Sequence, residues 1–79
     1  MVTVLRAPGL RVVIYLNDHE PAHVHVIGDG EAKLALSGPN GAPRLVWNKG
    51  LNRADVRRAL AIVVERRDDL IARWSDIHG

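Results

Sequence analysis

Ala22-His23-Val24-His25-Val26-Ile27-Gly28-Asp29-Gly30-Glu31-Ala32-Lys33-Leu34-Ala35-Leu36 is the stretch on which the fold turns. Two β-branched and apolar runs flank Gly28-Asp29-Gly30, the clearest hairpin signal in the chain. Its register decides which way the histidines point. A two-residue Asp29-Gly30 turn sets Ile27 opposite Ala32 and His25 opposite Leu34, mixing imidazoles with leucines on one face. A three-residue Gly28-Asp29-Gly30 loop sets Ile27 opposite Glu31 and His25 opposite Lys33. Val24 and Val26 then share an apolar face with Ala32, Leu34 and Leu36, while His23, His25, Glu31 and Lys33 take the other. Pairing follows whichever register separates apolar from polar side chains, so the second is expected. It predicts that both imidazoles lie away from the main core, within reach of the His19-Glu20 loop.

Working outward, Val2 to Arg6 and Leu10 to Leu16 form a second hairpin around Ala7-Pro8-Gly9. Asn17 to Pro21 reads as a loop, because Pro21 restricts Glu20 and Asn/Asp favour turns. Ser37 to Pro43 is a loop by composition, and Arg44 to Trp47 a candidate edge strand. Asn52 is a suitable N-cap for a helical segment running from Arg53 to about Ile77. Its apolar positions are Val56, Ala59, Leu60, Val63, Val64, Leu70, Ile71, Trp74 and Ile77. One unbroken helix would be about 37 Å long, more than such a sheet needs, with Arg67 inside the apolar stripe. A kink or break near Arg66-Arg67-Asp68 is one solution, and a second half projecting onto a partner is the other. The expected architecture is α+β: two antiparallel hairpins in one sheet, packed against a long or broken C-terminal helix, in a single domain spanning 1–79.

Composition bounds the chemistry. Seventy-nine residues give a thin core, so a metal, a partner or a second copy would add useful stability. Cysteine is absent, which excludes disulfides and thiolate sites and permits a reducing compartment. With no apolar run near 18 residues and no basic, apolar leader, a soluble cytoplasmic protein is expected. The formal charge of +2 divides evenly. Six arginines meet five acids from Arg53 onward, while Arg6, Arg11, Lys33, Arg44 and Lys49 are spread among four acids elsewhere. The linear order contains no basic block of the kind that neutralises a row of phosphates.

Residues 18–31 hold three of the four histidines and those four acids, without one Lys or Arg. Strand alternation puts His23 and His25 on one side, a pattern that offers two nitrogen ligands to one metal. His19 or Glu20 would complete such a site for Zn, Ni, Fe or Mn. A metal-free alternative is acid–base cleavage of a phosphodiester such as RNA, with His23 and His25 exchanging protons and Lys33 holding the phosphate. Plain structural hydrogen bonding is the third reading. Trp74, Ile77 and Arg67 are the candidates for a partner surface, whether for another protein or for a second copy. Trp47 and Trp74 also serve as large core residues, and His78 is expected to be solvated.

Thr3-Val4-Leu5-Arg6, Asn17-Asp18-His19-Glu20-Pro21, Ala22-His23-Val24-His25-Val26, Glu31-Ala32-Lys33 and Trp74-Ser75-Asp76-Ile77-His78-Gly79 together resemble the domain-of-unknown-function family 4160. That family consists of small bacterial proteins typified by a P-P-H-V-H-V segment, from which Ala22 departs at the second proline. The resemblance implies one half of a two-gene, toxin–antitoxin-like pair acting through a protein partner encoded by a neighbouring gene. It also draws attention to His19, His23 and His25, which fall in the recognisable motif.

Overall fold

Alternation and turn chemistry generate five strands and two helices in the computed structural model, which describes residues 1–38 and 41–78. In chain order these are β1 (Val2–Ala7), β2 (Leu10–Ile14), β3 (His23–Ile27), β4 (Glu31–Ala35), β5 (Arg44–Lys49), α1 (Arg53–Glu65) and α2 (Arg67–His78). The strands form one antiparallel sheet in sequence order. The expected α+β architecture is present, with the candidate edge strand realised as β5. The expected Ser37 to Pro43 loop includes Pro39 and Asn40, and the closing motif includes Gly79; these three lie outside the described residues.

The β3–β4 register is the one that segregates the faces: Ile27 pairs with Glu31, Val26 with Ala32, His25 with Lys33 and Val24 with Leu34. At the tip, Gly28 donates its N–H to the Gly30 carbonyl at 2.9 Å. Gly30 must lack a side chain, because a Cβ there would run into the Lys49 carbonyl and the Gly50 backbone. In the first hairpin Gly9 follows Pro8 with φ of +75°, a conformation that L side chains rarely adopt.

One face of the sheet is dry. Leu10, Val12, Ile14, Val24, Val26, Ala32, Leu34 and Leu36 pack against Leu51, Ala59, Val63, Leu70 and Trp74 from the helical side. Asn52 caps α1, its side-chain oxygen accepting from the Asp55 N–H at 2.8 Å. Of the two solutions open for the helical segment the structure takes the break, at Arg66. The break turns the Arg67 guanidinium to the end of β4, where it donates to the Leu36 carbonyl at 3.1 Å and to Ser37 Oγ at 2.9 Å. Val64 falls off the stripe and is 54% exposed, while Ile62, outside the expected list, packs on the core. Among the described residues no helix is long and apolar enough to cross a membrane.

The other face carries no helix except where Trp74 and His78 of α2 reach its His23 end, and its rows follow from the register. Arg6, Arg11, Ile27, Glu31 and Lys49 stand in one row across all five strands. Thr3, Val13, His25, Lys33 and Trp47 form the next, and His23, Ala35 and Arg44 the third. The five cations that looked scattered in linear order therefore share one face. Cross-strand pairing aligns Arg6 with Arg11 and Lys33 with the row of His25, and the register shift between Lys33 and Leu34 brings Arg44 to the same face as Lys49, five residues on.

Candidate metal centre

His23 and His25 occupy the helix-free face as the register requires, yet they are not open to solvent. Only 4% of His23 and 7% of His25 is exposed. The expected face is the right one, and a loop and three aromatic side chains bury the pair there. The chain leaving β2 folds back over the His23 end of the face. Tyr15 meets the His25 ring edge-on with centroids 4.5 Å apart, and Trp47 approaches it at 5.6 Å. Trp74 of α2 packs on His23 at 4.9 Å. His78 then stacks on Trp74 at 3.9 Å and lies 3.2 Å from the Tyr15 carbonyl, so it is pinned and half-buried rather than solvated.

His23 is hydrogen-bonded at both nitrogens and His25 at one. His23 Nδ1 donates to the Pro21 carbonyl at 2.8 Å, and its Nε2 lies 2.9 Å from Asp18 Oδ2. His25 Nδ1 lies 2.9 Å from Glu31 Oε2, and its Nε2 lies 3.6 Å from the same Asp18 oxygen. Tyr15 Oη donates to Glu31 Oε2 at 3.3 Å. Two Nε2 atoms and one carboxylate oxygen therefore converge, with donor atoms of Asp18, His23 and His25 all within 4.8 Å of one another. Donors around a tetrahedral zinc, at about 2.0–2.1 Å from the ion, stand roughly 3.3 Å apart. The two nitrogen–oxygen separations bracket that value.

The electrostatics suit neutral imidazole. Burial pushes His25 below the ordinary histidine value, an effect opposed by the Glu31 hydrogen bond and by the charges of Asp18 and Glu31. Burial, reinforced by Glu31, raises the Tyr15 phenol, which keeps its proton and acts as a donor.

The sequence-derived site residues divide accordingly. His23 and His25 come together. His19 and Glu20 are exposed on the loop and stand outside the donor group, their expected place taken by Asp18. The loop turns at Tyr15-Asp18, where the Asp18 N–H bonds the Tyr15 carbonyl at 3.2 Å, and this aims Asp18 inward. Lys33 sits beside His25 on the same face, half-buried, with no carboxylate within ion-pair distance among the described residues. Trp74 is only 2% exposed and Ile77 packs on the core, so both act in this chain as interior residues. The Trp74 indole N–H is buried without a partner. Arg67 is committed to the end of β4.

Two contributors escaped the sequence reading. Glu31 was legible in principle, since the chosen register makes it the diagonal cross-strand neighbour of His25. Asp18 was not, because a loop's path is not encoded in strand periodicity.

A family model described as a domain of unknown function (DUF4160) matches residues 9–75. No curated protein matches, and no solved structure does.

Proposed function

Since the chain belongs to the domain-of-unknown-function family DUF4160, its own side chains must carry the argument, and we propose that it binds one divalent transition-metal ion through His23 Nε2, His25 Nε2 and Asp18. The observation behind this is a count of protons. A neutral His25 has one N–H, and Glu31, a carboxylate, needs it at Nδ1. Its Nε2 then presents a lone pair to the Asp18 oxygen 3.6 Å away. His23 likewise gives its Nδ1–H to the Pro21 carbonyl and turns its Nε2 to the same Asp18 oxygen at 2.9 Å. One proton shared at Asp18 satisfies one Nε2 and leaves the other facing a lone pair. A cation between the three atoms satisfies all of them. The Nδ1 partners are also of the kind that fix ligand histidines in the correct tautomer, a carboxylate and a backbone carbonyl.

Two imidazoles and a carboxylate accept Zn, Ni, Fe or Mn. In so small a domain the ion's binding free energy becomes folding free energy, tying the loop after β2 to β3. Phosphodiester cleavage by free imidazoles is less well served, because both Nε2 atoms turn toward Asp18. From the family resemblance comes the further proposal of a protein partner encoded next door in a toxin–antitoxin-like pair. Co-expression with the neighbouring gene product and native mass measurement test it.

The metal reading is tested by elemental analysis of protein purified without chelator, and by melting with added Zn(II) or Ni(II) against EDTA. One ion per chain and a higher melting temperature are expected, with Asp18→Ala and His25→Ala each abolishing both. No metal and no shift would remove the proposal.

A further inference from the structure

Three of the six arginines of the helical segment are paired within that segment, whereas none of the five sheet cations is paired among the described residues. Arg58 pairs with Asp55, Arg66 with Asp69 and Arg67 with Asp68. Arg6, Arg11, Lys33, Arg44 and Lys49 have no carboxylate within 4.0 Å among the described residues, and all stand on the helix-free face. The acids associated with that face are Glu31 and Asp18, and both are engaged by histidines.

Arg6 and Arg11 are direct cross-strand partners. Like charges so placed are destabilising, and no neighbouring acid relieves them. They flank a shallow groove with Ile27 and Gly28, where bare backbone is accessible. At the opposite edge Trp47 is half-buried, with the Lys49 ammonium 5.1 Å from its ring centroid. Strand spacing of about 4.8 Å puts these two edges roughly 19 Å apart. Unpaired cations on both sides of the sheet, with an aromatic ring among them, suit an extended polyanion with planar groups. A face roughly 19 Å across is too broad for a duplex major groove of about 12 Å, and an acidic peptide would make no use of the ring.

We propose that the helix-free face binds single-stranded nucleic acid, with phosphates at Arg6 and Arg11 on one edge and at Lys33 and Lys49 on the other, and a base against Trp47. The inference is independent of the metal reading, and binding is to be measured both in EDTA and with Zn(II).

Fluorescence anisotropy with labelled oligo-U and oligo-dT of about 12 nucleotides, a length within known single-strand site sizes, provides the test. A duplex of equal length and a poly-glutamate peptide serve as comparators. Both single strands are expected to bind more tightly than the duplex and the peptide. A preference for oligo-U indicates that the 2′-hydroxyl is read, and equal affinity indicates backbone contact alone. Arg6→Gln with Arg11→Gln should lower affinity at least about tenfold and reduce the salt slope by about 1.4, at about 0.7 per phosphate contact. Lys33→Gln with Lys49→Gln should do the same from the other edge, while Arg57→Gln on the exposed side of α1 changes nothing. Circular dichroism and melting verify that each variant is folded. Absence of binding, equal binding of poly-glutamate, or an unchanged salt slope in both folded double variants overturns the proposal.

Discussion

The two faces of this sheet are buried by opposite means. Toward the helices, Val12, Val24, Val26 and Leu34 are sealed by apolar contact alone, and any well-fitting hydrocarbon would serve. On the other side, His23 and His25 lie one residue out of phase on the same strand, and they are covered by a polar loop and aromatic edges. There each buried nitrogen requires its own partner, because an unmet polar group costs more than a lost contact. The first face holds the fold together generically. The second holds only if Asp18, Glu31 and the Pro21 carbonyl all arrive, so its geometry is specific and its stability depends on conditions.

Four measurements test that contrast. The largest effect belongs to the dry face: Leu34→Ala should cost about 2–5 kcal/mol, chiefly through the cavity it leaves. In a domain this size each kcal/mol shifts melting by about 4–8 °C, so calorimetry reads it directly and finds the same loss with or without metal. On the polar face the loss should be conditional. With metal at about a hundredfold over its dissociation constant, His25→Ala forfeits about 2.7 kcal/mol of linked stability. In EDTA that share vanishes, and a His25→Ala penalty equal in both buffers would show that the two faces do not differ in this way.

The third measurement is a pH series on metal-free protein. His25 has a folded value below its unfolded value of about 6.5, so the unfolded chain takes up more protons in between. Stability should be fully present above about pH 6.5 and should fall as pH drops toward the lowered value, an effect His25→Ala removes while Leu34→Ala retains it. The smallest change concerns neither face. Asn52→Ala removes the cap of α1 and should cost about 1 kcal/mol, independent of pH and metal.

How much of this was legible beforehand follows the same division. The register was readable because only one β3–β4 pairing keeps the leucines off the histidine face, and of the two solutions open for the helix the structure takes the break, with Arg67 turned to the end of β4. The histidine pair was readable for the same reason, since alternation puts positions 23 and 25 together. The third donor was not: His19, Glu20 and Asp18 are equivalent in a list of loop residues, and only the turn at Tyr15-Asp18 selects among them. Nor was the basic face, because positions 6, 11, 33, 44 and 49 share no linear period. They align only after four strand pairings are fixed, including a β4–β5 pairing with a register shift between Lys33 and Leu34.

Gly30 bears on what that alignment can do. Where the β3–β4 turn presses its bare α-carbon against the Lys49 and Gly50 backbone, two separate loops lose the freedom to move independently. The row from Arg11 through Glu31 to Lys49 is thereby fixed in spacing before anything binds. A ligand settling there would order side chains alone, and the backbone share of the entropic cost of association would already be met by folding.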